Sequence, residues 1–196
     1  MKRKIDIVRD TCSPLMIDDI DTDQLVPARF MKTVNKDGFG DVLLYDRRYD
    51  ADGNERKDFV LNNPAYHGSI LVAGKNFGTG SSREHAAWAI AGYGIKVVIS
   101  CKFADIHKGN ELNNFILPVE VSEEFVNRLG QYVKENPEAI VEVNLPEQTV
   151  CNVATGEKAH FEIDKYKKHC LINGLDDVDY LVGTKSEIEK WEMKNL

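Results

Sequence analysis

The chain has 196 residues, enough for one domain with a sizeable buried core and short for two. Hydrophobic residues make up 42% and charged residues 29%, ordinary globular values that exclude a disordered or fibrous chain. With 25 Lys and Arg against 32 Asp and Glu, a net charge of −7, neither nucleic acid nor anionic lipid is an expected partner.

The N-terminus, Met1 to Asp10, lacks the continuous apolar stretch of a secretory signal. No apolar run approaches the roughly 20 residues of a membrane span, so a cytoplasmic protein is expected. Ile5–Val8 reads as a first strand, because Ile5 and Ile7 alternate with polar neighbours. Ile17 to Leu25 is too acidic for a core element and reads as a loop, followed after Pro27 by a short segment, Ala28–Thr33. From Asp46 to Asp58 nine of thirteen residues are charged, which predicts a solvated, mobile excursion. Apolar runs at Ser69–Ala73 and Ile95–Ser100 flank a glycine-rich loop and a helix over Arg83–Tyr93 with Gly94 at its end. Strand, loop, helix and strand make a βαβ unit with parallel strands.

Downstream, Phe103–Asn114 is partly helical, and Ser122 caps a helix carrying Phe125, Leu129 and Val133. Ile140–Leu145, Thr149–Val153 and Ala159–Ile163 form an antiparallel meander. A helical tail over residues 176–196 is expected to pack through Leu181, Ile188 and Trp191. The fold class is therefore α/β: one domain over 1–196, with a parallel βαβ core plus antiparallel strands. Cys12, Cys101, Cys151 and Cys170 have neither C-x-x-C nor zinc spacing; four reduced thiols and no metal on this chain are expected.

The most informative stretch runs from Gly74 to His85 (Gly-Lys-Asn-Phe-Gly-Thr-Gly-Ser-Ser-Arg-Glu-His). Gly78 and Gly80 permit tight backbone, and the loop feeds a helix whose first N–H groups are unpaired and attract a carboxylate or phosphate. Ser81 and Ser82 add hydroxyls, and Arg83 can grip a carboxylate through two parallel N–H groups. A dinucleotide fingerprint fails because position 83 is arginine, and a P-loop fails because no lysine follows Gly80. Ser81 to Glu84 also reads simply as a capping box, with Ser81 the N-cap. On pattern alone, an anion-binding module with no catalytic activity remains open.

Gly78 to Ala86, Phe103 to His107 with Asn110 and Leu117-Pro118, and Asp21 to Phe30 resemble the swivelling domain of the aconitase superfamily. Together with Asp58–Asn62 and Cys170–Asp177 they are similar to its branch of free-standing small subunits, those of bacterial isopropylmalate dehydratases. The resemblance runs from about residue 5 to 180. It implies a β/β/α swivelling domain and a hydro-lyase of two chains in leucine biosynthesis, inactive as the small subunit alone. The large subunit would carry a [4Fe–4S] cluster that binds a small hydroxy-dicarboxylate; this chain would bind no cofactor. By the same resemblance Ser81 is the general base, Ser82 and Arg83 hold the carboxylate, and Asp23 assists a histidine on the partner. Met31 falls in the segment that varies with substrate, where an apolar side chain suits an isopropyl group. Related substrates, homoaconitate, dimethylmalate or citramalate, remain alternatives. Thr79 and Glu111 stand where these subunits commonly have cysteine.

Overall fold

The structure, a computed structural model, describes residues 4–32 and 36–195; Met1 to Arg3, Thr33 to Asn35 and Leu196 lie outside the described residues. In chain order the elements are β1 (Ile7–Asp10), β2 (Cys12–Leu15), the one-turn helices α1 (Thr22–Leu25) and α2 (Tyr45–Arg48), β3 (Ile70–Ala73), α3 (Glu84–Tyr93) and β4 (Val97–Ser100). There follow α4 (Asp105–Asn113), β5 (Leu117–Glu120), α5 (Glu123–Glu135), β6 (Val141–Asn144), β7 (Thr149–Asn152), β8 (Lys158–His160), α6 (Lys165–Asn173), α7 (Asp177–Gly183) and α8 (Lys185–Asn195).

Two four-stranded sheets result, one parallel in the order β2-β3-β4-β5, the other antiparallel in the order β1-β6-β7-β8. The parallel strands alternate their side chains between two cores, as strand geometry requires. Ile70 and Val72 of β3, with Val97 and Ile99 of β4, join the antiparallel sheet and α5 in one core. Leu71, Ala73 and Val98 face the other way and meet Ala86, Ala87 and Ile90 of α3. The parallel sheet is thus the middle layer, with a sheet on one side and α3 on the other, and the Gly74–Arg83 loop leads from the C-terminal end of β3 into α3. Helix α3 sits close because Gly40 crosses Gly92 backbone to backbone: a Cβ on Gly40 would stand 2.4 Å from the Gly92 carbonyl carbon.

The βαβ unit, the Ser122 cap (Phe125 N–H to Ser122 Oγ, 3.3 Å) and the meander agree with the sequence. Four expectations are corrected. The first strand begins at Ile7 rather than Ile5, because the Ile5 amide donates to the Leu171 carbonyl (3.0 Å) and anchors under α6 before the strand starts. Ile7 consequently faces solvent. The acidic loop contains α1, whose N-cap Asp21 accepts from the Gln24 amide at 2.7 Å. The charged excursion is solvated only beyond its base. There Arg48 is buried, donating to Asn62 Oδ1 (3.0 Å) and lying over the Tyr93 ring. Last, Leu181, Ile188 and Trp191 are exposed, since α5 and α6 already close the core and neither α7 nor α8 buries a residue.

Candidate active site

The site grows from the C-terminal ends of parallel strands, where βα loops converge in open α/β sheets. Two isolated parallel bridges, Asp21 with Thr79 and Phe77 with Phe103, carry strand pairing out into the loops. The Gly78 amide donates to the Ile20 carbonyl (2.8 Å), and Phe77 exchanges backbone hydrogen bonds with Lys102 and Ala104 at 3.0 Å. Gly78 and Gly80 take φ of +75° and +92°, left-handed conformations in which glycine avoids the usual cost. Buried Thr22 then fixes the tip of the loop twice. Its amide donates to the Thr79 carbonyl (2.9 Å) and its hydroxyl to the Ser81 carbonyl (2.8 Å).

On this frame Ser81 and Ser82 stand exposed, and neither hydroxyl has a hydrogen-bond partner among the described residues. Arg83 is held from the side: its Nη1 donates to Asp23 Oδ1 on α1. The Arg83 side chain is 24% exposed and that of Asp23 56%, so the pair lies at the surface with one edge of the guanidinium spoken for. The structure therefore brings together Asp23, Ser81, Ser82 and Arg83, residues 60 positions apart in the chain. Met31 lies elsewhere on this side of the fold, half-buried in the turn after Ala28–Phe30 and packed against the α3-side core.

The capping box is not formed. The N-cap of α3 is Arg83, with no side-chain cap, because the Arg83 amide bonds back to the Ser81 carbonyl (2.8 Å) and this tight turn delays the helix. Glu84 swings away from the loop and accepts from Asn114 Nδ2 (3.1 Å) and Trp88 Nε1 (3.2 Å). The Asn114 hydrogen bond, aided by Trp88, holds the Glu84 carboxyl below its ordinary range against partial burial. That carboxylate is thereby kept off the serines, and the free N–H groups at the start of α3 remain unopposed.

Two contributors were not singled out from sequence. Thr22 was hidden in the acidic run, although Asp21 with Gln24 three residues on is itself a capping pattern. Arg47 of α2 reaches α1 next to Asp23, donating from Nε (3.0 Å) and Nη2 (2.6 Å) to Gln24 Oε1; only the three-dimensional fold shows it. The four cysteines do not suit an iron–sulfur cluster: Cys12 and Cys170 are buried, and among the described residues no three His, Cys, Asp or Glu side chains converge.

The aconitase C-terminal domain model matches residues 2–124. The chain belongs to the aconitase C-terminal domain family. Within the family it is 52% identical over 185 residues to the 3-isopropylmalate dehydratase small subunit of Cytophaga hutchinsonii, covering 94% of this chain and 92% of that one. It is 53% identical over 183 residues to the same-named subunit of Azobacteroides pseudotrichonymphae, covering 93% of each. The crystal structure of a 3-isopropylmalate dehydratase (leuD) from Methanocaldococcus jannaschii superposes with a TM-score of 0.66 at 25% identity, over 94% of this chain and 98% of that one. The two-sheet architecture and α3 are thus those of the aconitase C-terminal domain family. No helix among the described residues is long and apolar enough to cross a membrane.

Proposed function

We propose that this chain is the small subunit of a cytoplasmic 3-isopropylmalate dehydratase and acts, as one swivelling domain, with an iron–sulfur large subunit. The reaction is the interconversion of 2-isopropylmalate and 3-isopropylmalate through 2-isopropylmaleate, in leucine biosynthesis. One observation carries the reading: in a chain over 50% identical to such small subunits, two unengaged serine hydroxyls stand in the open beside an arginine braced by an aspartate. This is half of a site. A serine hydroxyl is a very weak base in water, so it needs enclosure and nearby positive charge, and this chain alone supplies only the charge.

Ser81 takes the proton α to a carboxylate, and Ser82 with the free edge of Arg83 holds that carboxylate. Asp23 positions the guanidinium and stands open to a group from the partner. The cluster would supply its chemistry from the large subunit, since the cysteines here do not form a ligand set. The expected result is no turnover by the isolated chain and full activity on titration with an iron–sulfur large subunit to equal stoichiometry. Turnover by the purified chain alone, or none after reconstitution, would refute the assignment.

The substrate class rests on Met31. An apolar side chain favours an isopropyl group and offers nothing to a third carboxylate. Met31→Arg is expected to move preference, measured as the ratio of kcat/KM values, by about 10–100-fold toward a tricarboxylate such as homoaconitate. An unchanged ratio would remove Met31 from the specificity set.

A further inference from the structure

Beneath the loop, α4 carries a buried acid and a buried imidazole that the reaction does not use. His107 and Glu111 stand one helical turn apart, their side chains 1% and 0% exposed, with Nε2 3.1 Å from Oε1. That contact lies off the ideal hydrogen-bond line, and His107 Nδ1 and Nε2 and Glu111 Oε1 and Oε2 all lack a hydrogen-bond partner among the described residues. Buried polar groups are normally satisfied, so a pair this deep with only each other to bond to calls for an explanation. An uncompensated charge at this depth is costly, which favours an acid and an imidazole set side by side. Burial holds the Glu111 carboxyl above its ordinary range, with the imidazole acting against it.

The imidazole also does something to the loop. A Cβ placed on Gly78 would lie 2.1 Å from His107 Cδ2 and 2.2 Å from Cγ, so the ring fills the space that any side chain at 78 would need. Phe77 flanks the same ring edge-on, with centroids 5.5 Å apart. Gly78 is thus clamped between the Ile20 carbonyl, which accepts from its amide, and the His107 ring. Three residues later comes Ser81.

We propose that His107 and Glu111 are a positioning pair, whose contact fixes the imidazole against Gly78 and thereby sets where the Ser81 hydroxyl and the Arg83 guanidinium stand. Its catalytic consequence rests on the Ser81 reading, whereas its effect on loop geometry does not, so two readouts keep them apart. The first is amide hydrogen exchange across residues 78–82 in the full-length chain; the second is kcat and KM of the reconstituted two-subunit enzyme. Glu111→Gln keeps an acceptor for the imidazole, and is expected to preserve both readouts within about threefold, whereas Glu111→Leu removes the partner. For Glu111→Leu the expected result is exchange at least about tenfold faster, confined to the loop. In the enzyme kcat should fall on the order of tenfold with KM nearly unchanged, the pattern of a misplaced reacting group.

Wild-type exchange in Glu111→Leu, or equal losses in the Gln and Leu variants, would overturn the proposal. Should Glu111→Leu fail to fold, His107→Phe keeps a ring against Gly78 but removes the pairing; it should show the same loop exchange, and wild-type exchange there would overturn the proposal instead. Faster loop exchange with turnover untouched, alongside a fully active Ser81→Ala, would refute the Ser81 reading while leaving the positioning pair supported.

Discussion

Ser81→Ala is expected to lower kcat of the reconstituted enzyme by about 10²–10⁴-fold, the range that a positioned general base contributes. The structure makes this substitution unusually clean. The Ser81 side chain is exposed and unengaged, so the melting and urea transitions of the chain should not move beyond the small changes typical of such surface sites. The contact that fixes residue 81 is made by its backbone carbonyl, which accepts from Thr22 Oγ1 at 2.8 Å, and alanine keeps it. Assembly with the large subunit and KM should both persist. A loss of turnover in an intact complex then reports on the hydroxyl itself. Near-wild-type kcat would mean that the proton leaves through another group, and Ser82, exposed on the same tight turn, would be the next to replace.

The position of Ser81 also limits what α3 can contribute to it. With Arg83 as the N-cap of α3, Ser81 lies two residues outside the helix and receives no direct hydrogen bond from its first turn. The helix dipole, which acts mainly within the first turn, therefore contributes less to an alkoxide than a capping serine would gain. In the proposed two-subunit site, what remains is the Arg83 guanidinium and the exclusion of water by the partner. With Ser81 as the proposed base, its basicity would consequently be a property of the assembled enzyme, which is why the isolated chain is expected to be inactive.

Local sequence was enough for the βαβ unit, because Ser69–Ala73 and Ile95–Ser100 are buried apolar runs separated by a helix closed at Gly94, whose φ is +105°. The same holds for α5, marked by Ser122 and Asn136-Pro137. Strand β2 was not legible. Cys-Ser-Pro-Leu has little strand character, and it is a strand because its edge position beside β3 tolerates Pro14. Nor was the pairing of β1 with β6, which joins Ile7 to Asn144 across most of the chain. At the site, Ser81 to Arg83 could be read from a linear motif. The brace from Asp23, the anchor at Thr22 and the ring of His107 against Gly78 depend on separate loops meeting, which no local pattern encodes. The predicted capping box failed for a related reason: the sequence pattern S-x-x-E cannot show that the chain turns sharply at Ser82.

Arg83→Lys is expected to reduce kcat/KM by on the order of 10²-fold, although the charge is conserved. The guanidinium donates to Asp23 through Nη1, and on the proposed reading its other N–H groups would hold a substrate carboxylate at the same time. A lysine ammonium is a point charge on a flexible stem, and once drawn to Asp23 it cannot also present two parallel donors. Losing one charge-assisted hydrogen bond and the orientation that it imposes corresponds to about 3 kcal/mol. The loss should fall mainly on KM, with a smaller part in kcat as the α carbon drifts from Ser81. Stability should hardly change, because an ion pair this exposed contributes at most about 1 kcal/mol. Asp23→Ala releases the brace but leaves the guanidinium, so about a tenfold loss is expected from that variant in the arginine background. In the Arg83→Lys background the same substitution should cost almost nothing, because there is no longer a planar group to orient. Additive losses in that double-mutant cycle would show that Asp23 acts on something other than Arg83, and the group that it serves would then have to come from the partner subunit.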